Sequence, residues 1–189
     1  QVTRVVREGG KATGIELADG SRIKANKAVI ANVAPSGLMS LIEGQSGDAG
    51  FDRKMTGFVH APGTMMIHLA LDGLPEWTAS EELKSFAYVH IAPSLDQMAR
   101  TYQQAVAGLL PDEPVLVVGQ PTTVDPSRAP DGKHVLWVQV RMVPGEIRGD
   151  AAGKITETDW ARVKEIYAER ALDIIERHAP GIRQKITGR

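Results

Sequence analysis

Cysteine is absent from the 189 residues, which excludes disulfide scaffolds, thiolate metal sites, CxxC redox chemistry and cysteine nucleophiles. Redox chemistry in such a chain requires a cofactor. An excess of charge is missing too, because 22 Lys and Arg stand against 23 Asp and Glu, a formal net charge of −1. With no basic stripe to compensate, the electrostatic case for nucleic acid or an anionic membrane surface falls away. No apolar run approaches the roughly 18 to 20 residues that cross a bilayer, and the N-terminus lacks the charged and apolar regions of a signal peptide. The expectation is therefore no transmembrane segment and a cytoplasmic setting, with peripheral membrane contact left open. No GxxxxGK or GxSxG occurs, so phosphate-loop and nucleophile-elbow readings have no starting residue. The five histidines, His60, His68, His90, His134 and His178, show neither HxH nor HExxH spacing, and they read as structural or surface residues with no metal site.

What is present is mostly β-type patterning, and it begins at once. The chain starts with Gln1 rather than Met and enters alternation without lead-in residues, as a segment of a longer polypeptide would. Residues 2–7 are rich in β-branched types and end at Gly9-Gly10, and residues 14–18 alternate Ile15 and Leu17 against Glu16, both as half-buried strands do. "GGKATG" is a hairpin turn rather than a phosphate cradle, since a strand and not a helix follows it. Asp19-Gly20 marks the next tight turn, because a primed turn needs positive φ. Residues 21–24 return antiparallel. Ala28-Val29-Ile30-Ala31 lacks polar alternation, which predicts a short strand buried on both faces and stopped at Asn32 and Pro35.

Further on, residues 44–52, "GQSGDAGFD", read as a surface loop. Period two places Met65, Ile67, Leu69 and Leu71 on one face of a strand, and Phe86, Tyr88 and His90 on one face of another. "HVLWVQVRM" from His134 is long enough for a central strand, and residues 115–118 form a short apolar one. Ser94 with Gln97 is a capping-box pattern opening a helix with Leu95, Met98, Ala99, Tyr102, Ala105, Val106 and Leu109 at helical spacing. A second helix over residues 158–178 carries Trp160, Val163, Tyr167, Ala171 and Ile174 on one stripe and stops at Pro180-Gly181. The sum is an α+β fold, an antiparallel-rich mixed β-sheet with helices on one face.

The proline-rich approach to the long strand, "PTTVDPSRAPDGKHVLWV" from Pro121, is the other conspicuous segment. Asp125 before Pro126 and Asp131 before Gly132 suit consecutive turns. A general acid or base role for Asp125 has no partner at local spacing. Met65, Met66, Met142 and Trp137 are types that line apolar cavities, and equally types that fill cores.

Several of these stretches together resemble one family, the FAD-dependent oxidoreductases related to phytoene dehydrogenase, and within it the branch named for a pyridine nucleotide-disulfide oxidoreductase domain. "VTRVVREGGKATGIELADGSRIKANKAVIANVAP" is similar to that family's ribbon leading back to the flavin domain. "APSLDQMARTYQQAVAG", "TTVDPSRAPDGKHVLWVQV" and "ALDIIERHAPGI" resemble later segments in the same order. The resemblance covers nearly the whole chain, and "DPSRAPDGKH" is its most specific part.

The resemblance implies the substrate domain of an FAD/NAD(P)-binding oxidoreductase. Residues 1–35 would be the ribbon and edge strand returning to the FAD domain, and residues 36–189 the substrate-binding domain. The family's GxGxxG strand and helix and its flavin-closing segment have no counterpart in these residues, so FAD is expected in the parent protein and not held by this chain alone. By motif match, Val2 would offer its backbone to the adenine, and Ala31 and Asn32 would lie near the cofactor. Met65, Ile67, Phe86, Tyr88 and Trp137 are the expected lining of a site for an apolar, isoprenoid or lipid-like substrate, with no catalytic side chain named. The expected chemistry is hydride transfer to flavin. The rivals are a non-catalytic module binding a hydrophobic ligand or a protein, and an amine-oxidase-like flavoenzyme.

Overall fold

The computed structural model describes residues 1–189, which form two compact units, Gln1–His60 and Ala61–Arg189. In the first unit, β1 (Val2–Glu8), β2 (Lys11–Leu17) and β3 (Arg22–Lys24) make an antiparallel ribbon in that order. Gly9 and Gly10, at φ +56° and +78°, supply the two positive-φ residues that a primed two-residue turn between the paired Glu8 and Lys11 requires. Gly14 serves a different purpose. A Cβ there would lie 2.4 Å from the Ile23 carbonyl oxygen, so the bare backbone is what lets β3 come so close.

Two short helices follow where the sequence suggested a strand end and a loop. Proline 35 does not terminate a strand but opens α1 (Pro35–Leu41) from its first turn, a position where its missing N–H costs nothing and its fixed φ already suits the helix. α2 (Ala49–Thr56) takes over the second half of the expected 44–52 loop. The Asp48 carboxylate starts it by accepting from the Gly50 and Phe51 amides at 2.7 and 3.1 Å. Residues 28–31 form no strand, and Ile30 is 92% exposed. An apolar run pairs only where a ladder is offered, and residues 28–31 belong to none of the three sheets. α1 packs on β1 and α2 and buries Met39, which makes residues up to His60 part of the first unit.

The second unit comprises β4 (Gly63–Leu71), β5 (Tyr88–Ile91), α3 (Leu95–Val106), β6 (Leu109–Leu110), β7 (Val115–Gly119), β8 (His134–Val143), β9 (Gly149–Asp150), α4 (Trp160–His178), α5 (Ile182–Lys185) and β10 (Ile186–Gly188). Its main sheet has the order β10-β4-β8-β7-β5 with every neighbour antiparallel, and the long strand β8 lies at the centre as expected. A parallel pair, β6 with β9, stands beside it. Alternation does the sorting. Ile67, Leu69 and Leu71 of β4, Leu136, Val138 and Val140 of β8 and Leu116 and Val118 of β7 share one buried core with Val163, Tyr167, Ala171 and Ile175 of α4, each Val, Leu and Ile side chain contributing about 1.5–3 kcal/mol. The α+β class and the helix over one sheet face are thus as read from the sequence.

Asp150 fastens α4 to the rest. Its buried carboxylate accepts both ends of the Arg170 guanidinium at 2.7 Å, together with the amides of Ala152, Lys154 and Ile155. Arg170 also donates to the Pro111 carbonyl, as does the Tyr167 hydroxyl. Burial alone would raise the Asp150 carboxyl, but Arg170 and the three amides outweigh it and hold the group at about 2. For Tyr167, burial wins and its hydroxyl is pushed above the usual range.

α3 forms where its capping pattern predicts, with Ser94 accepting from the Gln97 amide at 3.1 Å, but it is turned. Leu95, Met98, Tyr102 and Val106 are exposed, while Thr101 and Ala105 are buried. Gln97 and Thr101 donate side-chain hydrogen bonds to the Glu113 carbonyl at 2.9 and 3.1 Å. These bonds draw the helix's polar side inward against the hydrophobic preference of the stripe.

Candidate functional site

The second sheet face, away from α4, carries the alternate residues of the same strands. Register places His68 of β4, Trp137 of β8, Gly119 of β7 and Tyr88 of β5 in one cross-strand row. Gly119 is what shapes it. A Cβ at that position would come within 2.3 Å of Trp137 Cε2, so the indole lies directly over the glycine. The Tyr88 ring meets it edge-on, with centroids 5.3 Å apart and planes at 65°, the arrangement aromatic quadrupoles favour.

Above this aromatic pair the chain from β7 turns through two 3-10 turns, Pro121–Thr123 and Pro126–Arg128. Together they enclose a recess of about 260 Å³ lined by Ala87, Tyr88, Pro121, Val124, Asp125, Arg128 and Trp137. Gln120 fixes both sides of it. Its fully buried amide donates to the Leu83 and Phe86 carbonyls at 2.8 and 2.7 Å and accepts from Trp77 Nε1 at 2.9 Å, while its backbone carbonyl accepts from the Thr123 hydroxyl. A buried primary amide with its side-chain groups paired in this way rigidifies the segments it joins.

At the rim, Asp125 caps the second turn, its Oδ1 accepting from the Ser127 hydroxyl and amide at 2.5 and 3.2 Å. The Ser127 hydroxyl bond, with lesser help from Arg128, lowers its carboxyl below the usual range. Asp125 is consequently an ionised, already occupied acceptor at neutral pH, and it suits positioning better than proton transfer. Arg128 Nε stands 3.4 Å from Asp125 Oδ2.

The structure divides the residues picked out from the sequence. Tyr88 and Trp137 come together in the recess. Phe86 is 45% exposed beside it and holds the carbonyl that Gln120 binds. Met65 and Ile67 sit on the opposite, α4-covered face, Ile67 in the core and Met65 packed against it. Strand alternation excludes all five from a common wall, and Met66 and His68 occupy the open-face positions of β4 instead. Val2 lies in β1 opposite Leu17, and Ala31 and Asn32 lie in the exposed stretch before α1. Sequence reasoning passed over Gln120 and Arg128. The signal available for Gln120 was a lone amide closing an apolar strand before a proline. No three His, Asp or Glu side chains are grouped to hold a metal ion, and no helix is long and apolar enough to cross a membrane.

No family model matches the chain. The chain is similar to pyridine nucleotide-disulfide oxidoreductase domain-containing protein 2. The mouse protein of that name is 24% identical over 194 residues and the rat protein 23% over 193, each alignment covering 97% of this chain and 32% of the relative. This chain therefore spans about a third of the length of these relatives. Among solved structures, an oxidoreductase from Methanosarcina mazei matches 98% of this chain and 35% of its own, at a TM-score of 0.55 and 20% identity, which is a likeness of fold.

Proposed function

We propose that this chain is the substrate domain of a larger FAD-dependent oxidoreductase related to phytoene dehydrogenase, with the open sheet face as the wall that holds an apolar, isoprenoid or lipid-like substrate for hydride transfer. One observation carries the reading: a five-stranded sheet packed by a helix on one face presents an ordered aromatic pair, Trp137 over Gly119 with Tyr88, on the other. Gly119 leaves the Trp137 indole room to lie against the sheet, and the ring then forms an apolar wall on the open face. The span of about a third of two oxidoreductase-domain relatives supports the same reading.

The residues present do not themselves form a dinucleotide site. The Gly9-Gly10 pair sits in a hairpin rather than before a helix, and the first turn of α2 is closed by its own Asp48, whereas a pyrophosphate needs free helix-terminal amides. In this reading Val2, Ala31 and Asn32 are edge contributors to a cofactor held by the rest of the parent. What this chain supplies is position and dryness, an aromatic wall and a fixed recess that orient a substrate and exclude water. We take residues 1–35 as the part that returns to the FAD domain and the rest as the substrate-binding part.

The test is the visible spectrum of the complete parent protein, purified with and without added FAD, beside that of this chain. A flavin band in the parent and none in the chain is the expected result. A parent that stays colourless in excess FAD would refute the flavoenzyme reading and favour a module that binds a hydrophobic ligand. Peroxide release on amines would instead favour the amine-oxidase-like alternative.

A further inference from the structure

Resting on the reading of the open face as the substrate side, we propose that the recess beneath the Pro121–Arg128 segment binds the carboxylate end of an amphipathic substrate, with Arg128 as the recognising group and Tyr88 and Trp137 packing the first carbons behind it. The argument is one of free and occupied groups. Asp125 is already engaged within the protein, its Oδ1 accepting from Ser127 and its Oδ2 facing the Arg128 guanidinium. Arg128 comes closest to Asp125 through Nε, at 3.4 Å, and its two amino groups make no hydrogen bond to the protein. A guanidinium held by a capped carboxylate, with its outer fork unused, is the geometry that receives a planar carboxylate through two parallel bonds.

The rest of the recess fits the same ligand. Its volume of about 260 Å³ lies just under the roughly 300–1,000 Å³ of drug-sized pockets, which suits a small head such as a carboxylate with one ring or a short chain. The walls behind the rim are aromatic or aliphatic, Trp137, Tyr88, Ala87, Pro121 and Val124, so an apolar body gains by entering while the charged end stays at the exposed guanidinium. Gln120 keeps the opening from collapsing by tying the 83–86 backbone to the start of the Pro121 turn. The inference narrows the substrate class from apolar to amphipathic and anionic.

The chain can be titrated with 3-phenylpropanoate and with 3-phenylpropan-1-ol, which differ only at the head, while the three tryptophan indole N–H signals are followed by NMR and that of Trp137 is assigned with W137F. The expected result is a shift of the Trp137 signal by the carboxylate, with the alcohol at least tenfold weaker. R128Q should weaken the acid by a similar factor and leave the alcohol unchanged. R128K, which keeps the charge and loses the fork, should fall between them. Arg128 is exposed, so the variants should unfold at the wild-type temperature, and this is measured alongside. Equal binding of acid and alcohol, an unaffected R128Q, tighter binding of phenyl phosphate, or no shift at Trp137 would each overturn the assignment. None of these outcomes depends on flavin, so failure here is distinguishable from failure of the parent spectrum.

Discussion

Replacing Asp150 by Asn should remove one part of the acid sensitivity of the Ala61–Arg189 unit, to which Glu76 also contributes, while lowering its stability at neutral pH. The Asp150 carboxyl is held at about 2 against an ordinary 3.8, a difference of about 1.8 units that corresponds to roughly 2.4 kcal/mol at 1.36 kcal/mol per unit. The folded value is the lower one, so the contribution is fully present above the unfolded value near 4 and is lost as pH falls from about 4 towards 2. Asparagine keeps the shape but not the charge, and it leaves the Arg170 guanidinium, only 13% exposed, without a counter-charge. Breaking a buried pair from one side costs about 3–5 kcal/mol. Urea denaturation at a series of pH values from 7 to 2.5 is the assay. Wild type should lose stability more steeply than D150N below pH 4, and the two curves should converge. Parallel curves across that range would show that Asp150 titrates normally and that the clamp on α4 contributes nothing through charge.

Three further outcomes follow from the same structure. G119A should force the Trp137 indole off its seat, since the new Cβ would lie 2.3 Å from Cε2. The near-ultraviolet circular dichroism of the tryptophans should change and stability should drop by about 1–3 kcal/mol, and an unchanged spectrum would contradict the stacked row. Q120L should strand the Phe86 carbonyl and Trp77 Nε1 and leave the Leu83 carbonyl with the Phe86 amide alone, costing about 2 kcal/mol or more in chemical denaturation. Leu136→Ala, at a fully buried position of the central strand, should cost about 2–5 kcal/mol, with a smaller loss indicating a core that collapses around the cavity.

How much of this was legible depended on whether the force that decides an element is local. Period two in β4 and β8 and the α4 stripe of Val163, Tyr167, Ala171 and Ile174 each bury what they display, because hydrophobic burial and strand or helix geometry act in the same direction. The DG and GG turns were legible for a related reason, since positive φ is a demand on single residues. Alternation also gave the right partition of β4, with Met65 and Ile67 on the core side and Met66 and His68 on the other. Met65 and Ile67 were chosen for being apolar, and apolar side chains are the ones a covering helix claims first. On the open face the conspicuous feature is non-local, a tryptophan on β8 opposite a glycine on β7.

The misread elements share a non-local cause. α3 turned its apolar stripe outward because two side-chain hydrogen bonds reach the Glu113 carbonyl, a partner that spacing within the helix cannot reveal. Residues 28–31 present the complementary case. Their pattern asks for flanking strands, and within this chain they receive none, which leaves Ile30 at 92% exposure. Such a run is costly to leave in water, and its composition makes sense if a ladder is supplied from elsewhere. The proposed larger flavoprotein would supply one, since in that reading this segment returns to the FAD domain's sheet. The reading therefore requires that Ile30 become protected in the parent. Amide hydrogen exchange across residues 28–32 should slow by orders of magnitude in the complete protein relative to this chain, and equal rates in the two would remove the reason for assigning the segment to another sheet.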